Sequence, residues 1–290
     1  MLRYHVYDVF TDTPFTGNPL AIVEGADDLT TAQMQTIARQ FNLSETIFVQ
    51  TPDDPAHTAK VRIFFPTAEI PFAGHPTIGC AIHLASDTKN VITLEEVAGL
   101  VPVTIASNGP VPLAEFVAPK LPVPVGTPPS KSDLAAAVGL AKPDLGPHDT
   151  GVFEGGPTFI YAQLSNLDAL ARAAVQQPAF SDLAKACGVS EALYLYAPTG
   201  ENSYQARMFD PHAGIPEDPA TGSATAILSA QLLANGALRE GTTEITLAQG
   251  VEMGRPSALR LTTEVANGTL TEIRVAGSAV PIATGEIRVP

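Results

Sequence analysis

The chain has 290 residues, 45% of them hydrophobic and 16% charged, which is enough apolar side chain for one large core or two ordinary ones and too little polarity for a disordered chain. A formal charge of −14 argues against a nucleic-acid partner, because phosphates are repelled along such a surface. Two cysteines far apart, Cys80 and Cys187, argue against a disulfide framework or a cysteine-rich metal centre, and no run approaches the roughly eighteen apolar residues of a membrane span.

The opening segment, RYHVYDVF, alternates as a strand does, and NPLAIV forms a second strand after the turn DTPFTGN. It lacks the basic and apolar regions of a secretion signal, so a soluble cytoplasmic protein is expected. LTTAQMQTIARQF offers Thr30 as a cap and Met34, Ile37, Ala38 and Phe41 at helical spacing. ETIFVQ and AKVRIFF return to strand, followed by β-branched runs at NVITLEE, LVPVTIA and VPLAEFVA. Prolines at 119, 122, 124, 128 and 129 then mark a linker or crossing segment. Beyond it come three short helical patterns (DLAAAVGL, LDALARAAVQQ, FSDLAKACG) and strands at TFIYAQL, ALYLYA and SYQARMF. The tail from EITLAQG onward is short strands and glycine turns.

One stretch is written nearly twice. VRIFFPTAEIPFAGHPTIG, from Val61, and ARMFDPHAGIPEDPATGSATA, from Ala206, share Arg62/Arg207, Phe64/Phe209, Pro66/Pro211, Ala68/Ala213, Ile70/Ile215 and Pro71/Pro216 at a constant spacing of 145 positions. After a three-residue insertion, Gly74 aligns with Gly222 and Thr77 with Thr225. Each copy leads from a strand through a proline turn into a helix without a charged residue, HPTIGCAIHLA and SATAILSAQLLA. A helix with no solvent face has to be enclosed on every side. The expected architecture is therefore α+β, with two pseudo-symmetric lobes each wrapping a sheet around a central helix. The expected boundaries are 1–118 plus 278–290 for the first lobe, 128–277 for the second, and a proline-rich linker over 119–127.

A helix start presents amide groups without internal partners and partial positive charge. Glycine at Gly74 and Gly222 lets a ligand approach that backbone. Two such helix starts meeting at a cleft would suit a small carboxylate, or an enolate that develops during proton transfer.

DVFTDTPFTGNPLAIV, NLSETIFV, PFAGHPTIGCA, EDPATGSATA and QGVEMGRPS, in this order, resemble the phenazine-biosynthesis isomerase (PhzF-like) family across essentially the whole chain. The resemblance implies the diaminopimelate-epimerase-like fold, a cleft between two lobes, a homodimer, and cofactor-independent isomerisation of a small, possibly cyclic anionic substrate such as a phenazine precursor. No membrane partner is expected, because no run is long and apolar enough to span one.

Read alone, Glu45 is either a solvated turn carboxylate or a general base, and a carboxylate at the mouth of an apolar strand, partly stripped of water, suits the second role. His75 is either a cap or a donor and proton relay; Asp218 is either a turn residue or a ligand; Ser223 is an N-cap or a ligand. The resemblance assigns catalysis to Glu45, Asp218 and His75, and substrate binding to Ser223, Gly74 and Gly222. Asn18 is expected to order a loop, with a substrate contact as a weaker candidate role. Arg62 and Arg207 read as structural, and His83 as a core residue. Racemases of the wider superfamily place a cysteine before each helix-start glycine, where this chain has Ala73 and Thr221. That substitution disfavours the rival reading as an amino-acid epimerase or racemase. A non-catalytic carboxylate-binding protein is the other alternative. There is no P-loop, G-x-G-x-x-G, G-x-S-x-G or H-E-x-x-H, and the histidines show no metal-ligand spacing, so neither cofactor nor metal is expected.

Overall fold

The computed structural model describes residues 1–85, 90–106, 109 and 111–290. It divides into two compact units, Met1–Pro119 with Val275–Pro290, and Lys120–Arg274.

The first unit contains β1 (Leu2–Val9), β2 (Asn18–Val23), α1 (Thr31–Phe41), β3 (Glu45–Gln50), β4 (Ala59–Phe64), β5 (Glu69–Ile70), α2 (Gly74–Leu84), β6 (Val91–Glu96), β7 (Gly99–Ala106) and β8 (Leu113–Val117). The second contains β9 (Val123–Pro124), α3 (Lys131–Ala137), β10 (Gly151–Glu154), β11 (Thr158–Gln163), α4 (Leu167–Arg172), α5 (Ala179–Cys187), β12 (Leu193–Gly200), β13 (Ser203–Asp210), β14 (Ile215–Asp218), α6 (Gly222–Ala234), β15 (Gly241–Gln249) and β16 (Ser257–Ala266). The last strand, β17 (Thr269–Ile287), begins in the second unit and ends in the first, where its residues 279–287 pair antiparallel with β1.

The written repeat is matched by a repeat in pairing. In the first unit β1–β2 is antiparallel, β2–β3 parallel, β3–β4 antiparallel, β4–β6 parallel and β6–β7 antiparallel. In the second, β10–β11, β11–β12, β12–β13, β13–β15 and β15–β16 run through the same alternation. Parallel neighbours need a crossover, and the second crossover of each unit is its charge-free helix, α2 or α6. Residues Gly74–Ile82 of α2 are all buried, and the helix touches β1, β2, β3, β6, β7 and β8, so the sheet surrounds it. Gly79 sets the depth of that contact: a Cβ there would lie 2.5 Å from Leu20 Cδ2 and 2.8 Å from Val9 Cγ2. In the second unit α6 touches β10, β11 and β16.

Strand alternation decides which side chains meet which helix. Val23, Phe48 and Phe64 pack with Met34, Ile37 and Ala38 of α1. Residues of opposite parity, including Asn18 and Leu20 on β2 and Glu45 on β3, therefore face α2. Thr30 and Gln33 close a capping box at the start of α1, and Asn42 ends it in the left-handed region.

Four short strands escape the sequence pattern. β5 and β14 lie inside the proline turns, β9 inside the proline-rich segment, and β10 in GVFE before a glycine pair. Two to four residues are too few for alternation to show, and their partners are fixed only by the folded backbone. Helix α4 also stops at Arg172, before its apolar pattern ends. The carbonyls of Leu170, Ala171 and Ala173 are taken by Nη1 of Arg207 at 2.9, 3.2 and 2.7 Å, so a distant guanidinium caps the helix C-terminus in a way that sequence spacing does not announce.

Candidate active site

In the first unit, Glu45 opens β3 on the α2 side and is only 8% exposed. Its Oε2 lies 2.8 Å from Nδ1 of His75, the second residue of α2 and 1% exposed. Nε2 of His75 lies 3.2 Å from the backbone carbonyl of Asn18, the fully buried first residue of β2. A carbonyl oxygen only accepts, so Nε2 carries a proton. The short contact on the other side of the ring then holds one more proton, as carboxylate with imidazolium or as carboxylic acid with imidazole. Glu45 and His75 are thus joined by a hydrogen bond through Oε2, and the pair leaves Oε1 of Glu45 for chemistry. Asn18 enters through its backbone. The N-cap of α2, Ala73, offers no side-chain hydrogen bond, and there is no acidic residue in the first turn, so amides at this helix start are left for a ligand.

In the second unit, Asp218 ends β14 and is 5% exposed. It accepts the Thr221 hydroxyl at 2.6 Å, which takes Thr221 away from capping α6. Gln249, at the end of β15, holds this turn together. Its Nε2 donates to the Asp218 carbonyl at 2.8 Å and to Thr221 Oγ1 at 3.0 Å, while its Oε1 accepts from Thr221 N at 3.2 Å and from the Tyr194 hydroxyl at 3.3 Å. Both donors and both acceptor positions of the amide are used, which fixes its orientation. Gly222 and half-buried Ser223 then occupy the first turn of α6.

Sequence reasoning missed Gln249 and Tyr194. The signal for Gln249 was the dipeptide with Gly250, whose φ is +72° and whose absent Cβ leaves room for the Pro219 carbonyl, 2.7 Å from where that carbon would lie. It also missed Glu96 at the end of β6. Thr77, in the first turn of α2, has one hydroxyl proton and two acceptors at 2.7 Å, the Ala73 carbonyl and Glu96 Oε1. One acid proton resolves the conflict: Glu96 donates to Thr77, and Thr77 donates to Ala73. Burial agrees, pushing the Glu96 carboxyl up to about 8. Between its unfolded ionisation at ~4.3 and about 8, the folded protein holds a proton that the unfolded protein has released. Stability therefore falls as pH rises through that window, by at most about 1.4 kcal/mol per pH unit, and levels off above it. Glu96→Gln, which keeps a donor for Thr77, flattens this dependence. Urea midpoints of both proteins from pH 5 to 9 check it; parallel slopes would mean that Glu96 is ionised in the folded protein.

The thiols stand apart from both helix starts. Cys80 is fully buried in α2, where burial pushes its pKa up, and Cys187 packs in α5 among Phe180, Leu183 and Leu193. Ala73 and Thr221 occupy the two N-caps. Arg62 and Arg207 are held in two-point ion pairs with Glu69 and Glu217. His83 pairs with Glu24 and Tyr7 at the far end of α2. No helix among the described residues is long and apolar enough to cross a membrane.

The model of the family described as phenazine biosynthesis-like protein matches residues 7–285. The chain is 38% identical to an uncharacterized isomerase of Mesorhizobium japonicum over 98% of each, and 36% identical to trans-2,3-dihydro-3-hydroxyanthranilate isomerase of Pseudomonas aeruginosa over 98% of this chain and 99% of that one. Among solved structures, a phenazine biosynthesis protein of the PhzF family from Bacillus anthracis superposes with a TM-score of 0.87 at 26% identity, covering 99% of both chains. A hydroxyproline epimerase from Agrobacterium vitis shares the fold at a TM-score of 0.59 and 12% identity, covering 99% of this chain and 90% of that one.

Proposed function

Because the chain belongs to the phenazine biosynthesis-like protein family and is an isomerase, we propose that it moves a proton between carbons of a small, cyclic, carboxylate-bearing substrate, with Glu45 as the group that removes and returns it. The observation that carries this reading is the buried 2.8 Å contact between Glu45 and His75, whose other ring nitrogen meets the Asn18 carbonyl at 3.2 Å. As carboxylate, Glu45 takes a proton from carbon through Oε1, and the electron pair left behind spreads into the conjugated acid. His75, protonated at both nitrogens in that state, offsets the developing negative charge. Return of the proton from Glu45 to a different carbon completes the isomerisation, with no group outside the protein and its substrate required.

Asp218, held by Thr221 and Gln249, is assigned to the substrate's amino or hydroxyl group. Ser223 and the first-turn amides at Gly222 and Gly74 are assigned to its anionic oxygens. Each charge-assisted contact at a helix start contributes roughly 0.3–1 kcal/mol, and up to about 2 where water is excluded. The first compound to test is trans-2,3-dihydro-3-hydroxyanthranilate, on which the Pseudomonas aeruginosa relative is named to act. Incubation in heavy water, followed by absorbance and mass, is expected to give an isomer carrying deuterium. An isomer formed without deuterium would mean that Glu45 returns the same proton before it exchanges with solvent, whereas no isomer at all would overturn the choice of substrate. Catalysis by paired thiols is disfavoured, because Cys80 is sealed in the middle of α2 and Cys187 is buried in an apolar cluster of the second unit.

A further inference from the structure

At the opposite end of α2 from His75, three side chains that are distant in sequence come together. His5 lies within β1, Glu24 directly follows β2, and His83 is in the last turn of α2. His83 Nε2 is 2.8 Å from Glu24 Oε1, and His5 Nε2 is 3.6 Å from the same oxygen. One ligand atom from each of the three lies within 4.8 Å of the others. His5 Nε2 is shielded from solvent and has no hydrogen-bond partner among the described residues. The two imidazole rings approach to 4.4 Å between centroids, with both Nε2 atoms turned to the same Glu24 oxygen.

We infer that His5, Glu24 and His83 form a binding site for a late first-row divalent cation of the zinc class, with two imidazole nitrogens and one carboxylate oxygen as ligands and water completing the shell. Ligand atoms about 2.0–2.1 Å from a tetrahedral zinc lie roughly 3.3 Å from one another, so the two nitrogen–oxygen spacings of 2.8 and 3.6 Å bracket that value, and the two nitrogens lie within 4.8 Å of each other. The ladder between β1 and β2 fixes two of the ligands in advance: His5 pairs with Ile22, and the Glu24 amide donates to the Arg3 carbonyl at 3.0 Å. The third sits in the last turn of a helix, where the dipole favours a cation. Tyr7 supplies an outer partner, with its hydroxyl 3.2 Å from His83 Nδ1. With a metal on Nε2, the His83 proton resides on Nδ1 and is donated to Tyr7, the arrangement that orients most metal-bound imidazoles.

Two further features narrow the cation. Arg3 bears electrostatically on Glu24, which disfavours an ion held by charge alone, and two nitrogen donors disfavour magnesium and calcium. Glu24 is 36% exposed in its side chain against 11% for His83, so the site opens to solvent on the carboxylate side. Such an ion would pin the end of α2 to β1 and β2, away from Glu45 and His75.

The test is a titration of the chelator-stripped full-length protein with Zn²⁺, read by calorimetry, and with Co²⁺, read by its visible absorption. Stoichiometric binding with the strong visible bands of a low-coordinate cobalt is expected. His5→Gln and His83→Gln should each weaken it at least about 10-fold, and Tyr7→Phe, which leaves all three ligands, by about 10-fold. His57→Gln, in a separate histidine–glutamate pair of this unit, should leave it unchanged. The proposal fails if wild-type binding is no tighter than that of the His5→Gln/His83→Gln double variant, or if His57→Gln abolishes it. Should His83→Gln fold poorly, the half-buried strand residue His5 and the Tyr7→Phe variant decide the matter in its place.

Discussion

Replacing Glu45 with Gln lowers kcat by about 10²–10⁴-fold, the range that a positioned acid or base contributes, while leaving the protein folded. The two parts of this expectation have one structural origin. A glutamine amide is the same size as the carboxylate and can still meet His75 Nδ1 across the 2.8 Å contact, so α2 keeps its tie to β3. It cannot take a proton from carbon. Steady-state kinetics with a turned-over substrate, together with a thermal melt, separate these effects. Near-wild-type melting with turnover lost is the expected pattern. Unchanged turnover would remove Glu45 from the chemistry, and loss of both would make the pair structural.

Arg207→Met destabilises the second unit by about 3–5 kcal/mol, the usual result of stranding the partners of a buried charge. The arginine is 7% exposed, forks onto both oxygens of Glu217 at 2.8 and 2.9 Å, and caps three carbonyls at the end of α4. Its guanidinium also lies 4.8 Å from the centre of the Phe209 ring. Methionine restores the apolar contact and none of the five polar ones. The counterpart Arg62→Met should cost about 1 kcal/mol or less, because Arg62 and Glu69 are 21% and 27% exposed and water can replace what is lost. Urea denaturation of the two variants beside the parent protein checks the difference. Equal losses would show that the α4 carbonyls find other donors.

The enclosed helices were legible because a run of small and apolar residues with no charge has only one place to go, and α2 and α6 begin at the glycines that the repeat had aligned. Thr30 as a cap and the apolar spacing of α1 were legible for the same local reason. Glu45, His75, Asp218 and Ser223 were named from motifs. What the motifs do not contain is the disposition of protons and lone pairs: that Asn18 acts through its carbonyl, that Thr221 is spent on Asp218, or that Gln249 spans the turn. The Arg62 and Arg207 copies show the limit well. Each grips a glutamate, yet Glu69 precedes its Ile-Pro pair and Glu217 follows it, so the ion pair recurs although its acid is not at the repeated position. Partners in space are set by the folded backbone, and a different sequence position can serve the same contact.

The passage of β17 from one unit into the other sets an order in time. Lys120–Arg274 is one uninterrupted stretch, so the second unit has all of its residues as soon as Arg274 has been made. The first unit begins at Met1 and can pair β1 with β2 early, but lacks the second partner of β1 until residues 279–287 follow. During synthesis, domains settle as their residues become available. The half that is started first is therefore the last to be completed, and until then the edge of β1 that β17 will cover has an open row of backbone donors and acceptors.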